Sequence, residues 1–261
     1  MQPGNDLSHL LNEWPFDPTT VTSRFVETPE GTRHVQLRLD LGILQMQLEG
    51  RPDGTQPHGH DSMLAFYRRK LITERRSGYR LDSDACAELQ QESVQYYYRY
   101  LALLVLKDYE GVIRDTRHNL EIFDLVDRYA ASEDLAWEFL QFKPYVCMMN
   151  TRAKAEKLAH EGRVDEAVDA VHTGIAEIKA FLEEQGDEPD EETCPELGLL
   201  DELITDLRER TTDENPVVRL QEKLRYAIHV ENFEEAARLR DQIQAMADDI
   251  PVEEAQAAPC V

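Results

Sequence analysis

The chain has 261 residues, 41% of them hydrophobic, which allows one or two compact domains with a core of ordinary size. Its 52 acidic and 28 basic residues give a formal charge of -24. This balance argues against a dedicated DNA- or RNA-binding protein and against an anionic membrane surface as the main partner, because both kinds of partner are bound mainly by Lys and Arg.

The longest apolar run, residues 101–106, is far shorter than the roughly 20 residues that cross a bilayer. The first residues carry neither the basic end nor the apolar stretch of a secretion signal. The four cysteines form no CxxC pair, so neither a zinc cluster nor a disulfide framework is expected. We therefore expect a cytoplasmic protein without a metal or another cofactor.

Residues 1–60 are predicted to form an irregular N-terminal arm followed by a β-hairpin segment. Trp14 and Phe16 are expected to anchor the arm. A turn at residues 29–31 would pair residues 24–27 with the next strand. The phase of the apolar alternation shifts at Gly42, which predicts a β-bulge there. The alternating apolar positions are Val35, Leu37, Leu39, Leu41, Leu44, Met46 and Leu48.

Residues 61–182 are predicted to be a helical body. Asp61 or Ser62 can cap a first helix that runs to about Arg76. Two further segments repeat apolar residues at helical spacing, which indicates one buried face on each helix. These residues are Val94, Tyr97, Tyr98, Leu101, Leu104 and Val105 in the first segment, and Val164, Ala167, Val168, Val171, Ile175, Ile178 and Leu182 in the second.

Three short segments resemble one another and are predicted to be the tight turns of helical pairs. They are residues 108–112, 163–167 and 232–236. Each holds an aromatic or β-branched residue, acidic residues suited to a helix N-terminus, and a small residue that permits close helix contact. The first two pairs loosely resemble tetratricopeptide repeats, although 55 residues separate Val112 from Ala167 and that family repeats every 34.

Residues 183–214 hold fourteen acidic and two basic residues and are predicted to form an acidic linker and a helix. The helix would span residues 197–210, and its apolar face consists of Leu200, Leu203, Ile204 and Leu207. Residues 251–261 show no periodicity and are predicted to be a disordered tail.

Residues 215–250 are predicted to form a helical hairpin. Asn215 can cap the first helix with Pro216 at its first position, and Asn232 lies at capping-box spacing from Glu235 for the second. Two short helices cannot hide both of their apolar faces from water, so the exposed remainder predicts a docking surface for another helical pair.

The run from Asn232 to Asp241 resembles the UVR motif of the B and C subunits of the bacterial excision nuclease. The motif also occurs in activators of protein-arginine kinases and in some Clp-type chaperones. The resemblance implies a helical hairpin that associates with another copy and carries no catalysis. The implied partner-binding residues are Leu220, Leu224, Ala227, Phe233, Ala236, Leu239, Arg240 and Ile243. With residues 39–46 and 50–54, the whole chain resembles bacterial proteins that carry a C-terminal UVR motif.

Three other groups of residues were considered as sites. His58, His60 and Asp61 could supply metal ligands, but a loop with Asp61 as a helix cap fits better. The basic residues within 67–80 could bind an external anion, but they are expected to pair with acidic residues of this protein. In the cluster at 96–100, Tyr97 is expected in the core, and Tyr96 and Tyr100 at an exposed or interface position.

The sequence therefore predicts a mainly α-helical protein that acts as a non-enzymatic adaptor. The hairpin would bind a protein, either a second copy in a homodimer or another UVR-bearing protein, and no direct nucleic-acid or membrane contact is expected. Three alternatives remain open: an accessory factor of nucleotide excision repair acting through the excision nuclease subunits, a regulator of a Clp-type protease or a protein-arginine kinase, and an enzyme whose site is formed only in the folded chain.

Overall fold

The computed structural model describes residues 7–74, 78–188, 190, 193–214, 220, 224 and 237–243. Its contacts divide the chain into two compact units, residues 1–201 and residues 202–261. Helices dominate the described residues and a small antiparallel sheet lies near the N-terminus, so the predicted fold class is confirmed. Among these residues, no helix has both the length and the apolar character that crossing a membrane requires.

The sheet has three antiparallel strands in the order β1 (Ser23–Glu27), β2 (Arg33–Leu39) and β3 (Gly42–Gln47). The predicted hairpin between the first two strands is confirmed. Gly31 lies in its turn with φ +80°, a left-handed conformation that favours glycine. The sheet packs on the helical body through helix α3 (Ser83–Val105).

The β-bulge predicted at Gly42 is wrong, because a two-residue loop of Asp40 and Leu41 occupies this position. Leu39 pairs with Gly42, and Val35 pairs with Met46 across the loop. The residue numbers of each β2–β3 pair add up to 81, so an odd-numbered residue of one strand pairs with an even-numbered residue of the other. Apolar residues on one face of the sheet are therefore odd-numbered in β2 and even-numbered in β3. The shift of the alternation thus marks a reversal of the chain rather than an extra residue.

The N-terminal arm includes a short helix, α1 (Ser8–Glu13), where an irregular path was expected. The predicted anchor at Trp14 is confirmed. The Arg24 guanidinium lies 4.3 Å from the centre of the Trp14 ring, and Arg38 Nε donates a 2.7 Å hydrogen bond to the Trp14 carbonyl oxygen. Arg38 also lies over the Phe16 ring at 5.8 Å. Arginines of β1 and β2 therefore attach the arm to the sheet.

The remaining described helices follow from residue 63 onward. Side chains of Ser62, Asp82, Asp108 and Ser132 accept backbone N–H groups at the starts of four of them, as expected for N-caps. The helices are α2 (Met63–Thr73), α3, α4 (Tyr109–Tyr129), α5 (Glu133–Leu140), α6 (Lys143–His160), α7 (Val164–Gln185) and α8 (Pro195–Glu214).

The body is built from two helical pairs, α3–α4 and α6–α7, which pack together through α4 and α6. The predicted turns at residues 108–112 and 163–167 are confirmed as the entries to α4 and α7. Gly174 of α7 lies against α6 so closely that a Cβ atom there would be 2.1 Å from Thr151 Oγ1. Close contact between α6 and α7 therefore depends on a glycine.

An isolated parallel β-bridge connects the start of α3 to the end of α4, opposite the turn that joins these two helices. Leu81 N–H donates to the Tyr129 carbonyl oxygen at 2.8 Å, and Ala131 N–H donates to the Leu81 carbonyl oxygen at 2.8 Å. The start of α3 is thus bonded to the end of α4, while a short turn joins their opposite ends.

The apolar stripes predicted for α7 and α8 are largely confirmed. Ala167, Val171, Ile178 and Leu182 of α7 are buried. The predicted stripe of α8 is buried as well, and this helix crosses the boundary between the two units. The predicted disordered tail, 251–261, lies outside the described residues.

Candidate functional site

The strongest concentration of charge inside the body is an ion pair between α3 and α4. Arg99 Nε and Nη2 donate to the two carboxylate oxygens of Asp115 at 2.6 and 2.7 Å, and neither residue is exposed to solvent. Arg99 Nη1 donates to the carbonyl oxygens of Gln47 and Gly50 at 2.9 and 2.8 Å. One guanidinium therefore connects two helices to the loop that follows β3.

Glu92, which precedes Arg99 on α3, is a second buried charged residue with several polar partners. Its carboxylate accepts the N–H groups of Met63 and Leu64 at 2.6 and 3.1 Å, at the positive end of α2. His118 Nε2 lies 2.9 Å from the same carboxylate, and Arg51 Nε lies 3.6 Å away. Because Glu92, Arg99 and Asp115 are completely buried, their charges are balanced by the protein itself. This arrangement is typical of a structural network.

The buried face of α3 differs from the face that hydropathy predicted. Tyr96 and Tyr100 are buried, with exposures of 6% and 1%, whereas Val94 and Val105 are each 44% exposed. The Tyr96 ring stacks on His118 with a centroid distance of 3.8 Å. Burial raises the pKa of the Tyr96 hydroxyl to about 12, although the charge of Arg99 acts in the opposite direction.

The prediction of core and interface tyrosines was therefore inverted. The interior stripe of α3 contains Glu92 and Arg99, which a hydropathy pattern assigns to the outside. The predicted stripe instead lies on a partly exposed face, where Tyr97 and Tyr98 border a groove of about 480 Å³. Sequence reasoning missed this groove, because its lining combines residues of α3, α4, α5 and α6.

In the second unit, the described residues place two of the predicted helical segments in contact. Leu239 is 5% exposed and packs against Leu220 and Leu224, which are partly buried. Arg240 is exposed, and its Nη2 lies 3.1 Å from Asp241 Oδ1. Ile243 is half-buried. Of the predicted partner-binding residues, Ala227, Phe233 and Ala236 lie outside the described residues.

Residues 214–248 match the UvrB/uvrC motif, UVR. The chain therefore carries a UVR motif, as the run from Asn232 to Asp241 predicted. The match covers Leu220, Leu224 and Leu239, so their contact lies within the UVR motif. No curated protein and no solved structure matches the chain.

Two neighbouring residues of the predicted partner-binding set, Leu239 and Arg240, differ in their exposure to solvent. Leu239 is one of the predicted partner-binding residues, and in the described part of the motif its side chain packs against Leu220 and Leu224. Arg240, the neighbouring residue of the predicted set, remains exposed to solvent.

The other candidate groups have contacts within the protein. In the basic segment, Arg68 pairs with Glu121 at 2.9 Å and Arg80 Nη1 donates to the Arg128 carbonyl oxygen at 2.9 Å. His58 stacks on Phe66 at a centroid distance of 4.3 Å, and Ser62 rather than Asp61 caps α2. Within the described part of the chain, no group of three or more His, Cys, Asp or Glu side chains could hold a metal ion.

Proposed function

We propose that the protein is a non-enzymatic adaptor whose UVR hairpin binds another helical pair, supplied by a second copy or by a different UVR-bearing protein. The UVR motif at residues 214–248 is the observation that carries this proposal. The motif is a module associated with protein–protein interaction and with DNA repair, and it occupies a small part of the chain. The helical body is then free to act as a second module.

The geometry of the hairpin supports association through its outer surface. Within the described residues, Leu239 packs against Leu220 and Leu224. Two short helices by themselves cannot hide both of their apolar faces from water. Arg240 and Asp241 are exposed next to these leucines. A second helical pair would enlarge the shared core and would meet this charged rim, an arrangement common in protein interfaces.

The buried polar network supports a structural role for the body rather than catalysis. A catalytic acid or base must reach its substrate within hydrogen-bond distance, directly or through one water molecule. Arg99, Asp115 and Glu92 are completely buried and are bonded to backbone and side chains of the body. Their role in the proposal is to hold α2, α3, α4 and the loop after β3 together.

The test reverses the charge at Arg240 in the full chain. Arg240→Glu should leave the internal leucine cluster intact, since Arg240 is exposed. If the hairpin carries the association, this variant should lose self-association, or capture of a UVR-bearing partner, by roughly tenfold or more, as loss of an interface arginine commonly causes. Light scattering over a range of concentrations measures the mass and therefore self-association. Affinity purification from the native cell measures capture of a UVR-bearing partner.

Arg117→Glu is the matched control, because Arg117 is an exposed arginine on α4 and the substitution changes the net charge equally. It should leave association unchanged. Equal loss in both variants would assign the effect to net charge. Unchanged mass and unchanged partners in Arg240→Glu would contradict a role for this surface.

The name of the matched motif favours a second candidate, an accessory factor of nucleotide excision repair. In this version the UVR hairpin binds an excision nuclease subunit, and contact with DNA is indirect because the chain carries a charge of -24. Co-purification with those subunits, lost in Arg240→Glu and retained in Arg117→Glu, would favour it. Unchanged ultraviolet sensitivity after deletion of the gene would count against it.

A further inference from the structure

A groove of about 480 Å³ lies on the helical body, wholly within residues 1–201. It receives side chains from α3, α4, α5 and α6, as well as Phe142 from the junction before α6. Phe142 is 52% exposed, so an apolar surface is open to solvent at this place. The aromatic residues of the lining are Tyr97, Tyr98, Tyr100, Phe123, Phe139, Phe142 and Tyr145.

The polar lining of the groove consists of Gln90, Ser93, Asn119, Glu138 and tyrosine hydroxyls, and two of its acceptors are the Asn119 amide oxygen and the Glu138 carboxylate. Asn119 lies in its lining and is 2% exposed; its Nδ2 donates to the Ser93 carbonyl oxygen at 3.0 Å, whereas its Oδ1 accepts no hydrogen bond from the described residues. Glu138 is the charged residue of the lining and is exposed. Among the described residues no ion pair involves Glu138, and the adjacent cation Lys143 is paired with Asp124 at 3.0 Å.

We propose that this groove binds the arginine side chain of a partner protein. Aromatic faces attract a cation through the ring quadrupole, and guanidinium also stacks on them. Guanidinium carries five N–H donors and no acceptor, which matches the unpaired Asn119 oxygen and the Glu138 carboxylate. The acidic character of the whole chain favours a basic partner in the same way.

The charge of the groove argues against other occupants. An anionic ligand or a nucleic-acid phosphate would face Glu138 without a cation in the lining. A purely apolar side chain would fill the aromatic surface but would offer no donor to the buried Asn119 oxygen. An arginine satisfies both features, because its stem is apolar and its head is a donor.

The experiment uses the full chain and three labelled peptides of the form acetyl-Gly-Leu-X-Leu-Gly-amide, in which X is arginine, citrulline or norleucine. Citrulline keeps the shape of arginine without its charge, and norleucine keeps only an apolar stem. Fluorescence anisotropy should show that the arginine peptide binds at least about fivefold more tightly than either counterpart, which is the usual scale of a partly desolvated cation–π contact.

Glu138→Gln removes the carboxylate from an exposed position and should weaken binding of the arginine peptide by roughly threefold to tenfold. Glu133→Gln is the matched control, since it makes the same charge change on α5 outside the groove, and it should have no effect. Equal binding of the three peptides, or equal loss in the two variants, would overturn the proposal. Because the groove and the UVR motif lie in different units, self-association should be unchanged in Glu138→Gln, and failure of either proposal can be recognised separately.

Discussion

Arg99 and Asp115 lie side by side in the interior with both of their polar ends engaged. A buried ion pair is not a large net source of stability, because removing two charges from water is costly. Removing one partner is different, since the other is left as a buried charge. At Arg99, the carbonyl oxygens of Gln47, at the end of β3, and of Gly50, in the following loop, would lose this donor at the same time.

Arg99→Met should therefore lower the free energy of unfolding by up to about 3–5 kcal/mol, the usual effect of breaking a buried ion pair. Asp115 would keep one cationic partner, since its Oδ1 also accepts from Arg114 Nε at 2.9 Å. Urea denaturation followed by circular dichroism measures the change. The double variant Arg99→Met with Asp115→Leu should recover part of the loss, because it removes both charges.

The comparison variant is Arg163→Met, which breaks an exposed pair with Glu166 at 2.6 Å. Exposed pairs contribute about 0–1 kcal/mol, so the loss should be small. Similar losses at Arg99 and Arg163 would contradict the structural importance assigned to the interior network.

The three cysteines of the described residues should be inert in the folded protein. Burial raises the pKa of the Cys86, Cys147 and Cys194 thiols to about 11, so only about one in a thousand is thiolate at pH 8. In a Cys260→Ser background, iodoacetamide at pH 8 should modify them slowly without denaturant and quickly in 6 M guanidinium. Mass spectrometry counts the modified thiols, and fast labelling of the native protein would contradict their burial.

The packing of α6 on α7 is controlled by one glycine. A Cβ at Gly174 would lie within 3 Å of three side-chain atoms of Thr151, so either this side chain or the helix backbone must shift. Gly174→Ala gains about 1 kcal/mol of helix propensity, but overpacking costs typically about 1–3 kcal/mol. We expect a net decrease in thermal stability, measured as a lower melting temperature.

A second substitution, at Thr151, tests whether the loss of stability in Gly174→Ala comes from the contact with this side chain. Thr151→Ala removes the atoms nearest to the new methyl group, so the double variant Gly174→Ala with Thr151→Ala should melt at a higher temperature than Gly174→Ala alone. A lower melting temperature in the double variant would show that the contact with Thr151 is not the cause.

Hydropathy predicted some helix faces and not others, for a physical reason visible in α7 and α3. The buried side of α7 is formed by apolar and small residues such as Ala167 and Ile178, so its periodicity marks the interior. The buried side of α3 includes Glu92 and Arg99, whose burial depends on partners in α4, in α2 and in the loop after β3. Those partners are distant in sequence, and no local pattern reveals them.

The UVR motif and the aromatic groove also differ in whether a local sequence pattern can reveal them. The UVR hairpin is a local unit, and the run that identifies it lies within about ten neighbouring residues, so the sequence predicted its place. The aromatic groove combines residues from Gln90 to Val146 and exists only once α3 to α6 have packed. Its location could not be predicted before the helical phase of α3 was known.

The whole molecule should lose stability in alkaline solution. Burial raises the pKa of Tyr96 to about 12 and raises those of Tyr67 and Tyr100 further. The folded state therefore retains protons that the unfolded state releases above about pH 10. Stability should be insensitive to these groups below pH 10 and should fall as the pH rises from 10 toward 12.

Urea denaturation at pH 8, 10 and 11, together with tyrosine absorbance at 295 nm, measures this effect. Tyr96→Phe should reduce the slope of stability against pH above pH 10, by up to about 1.4 kcal/mol per pH unit for one group. An unchanged slope in this variant would show that Tyr96 ionises as freely in the folded state as in the unfolded state.

The bridge between Leu81 and Ala130 has a consequence for how the first helical pair opens. The pair is bonded at its turn and also at its free ends, through two hydrogen bonds of 2.8 Å. A hairpin closed at one end can fray from the other, but this one forms a ring that must break as a whole. In amide hydrogen exchange, the Leu81 and Ala131 protons should therefore exchange as slowly as those in the middle of α3 and α4, although both residues lie outside the helices.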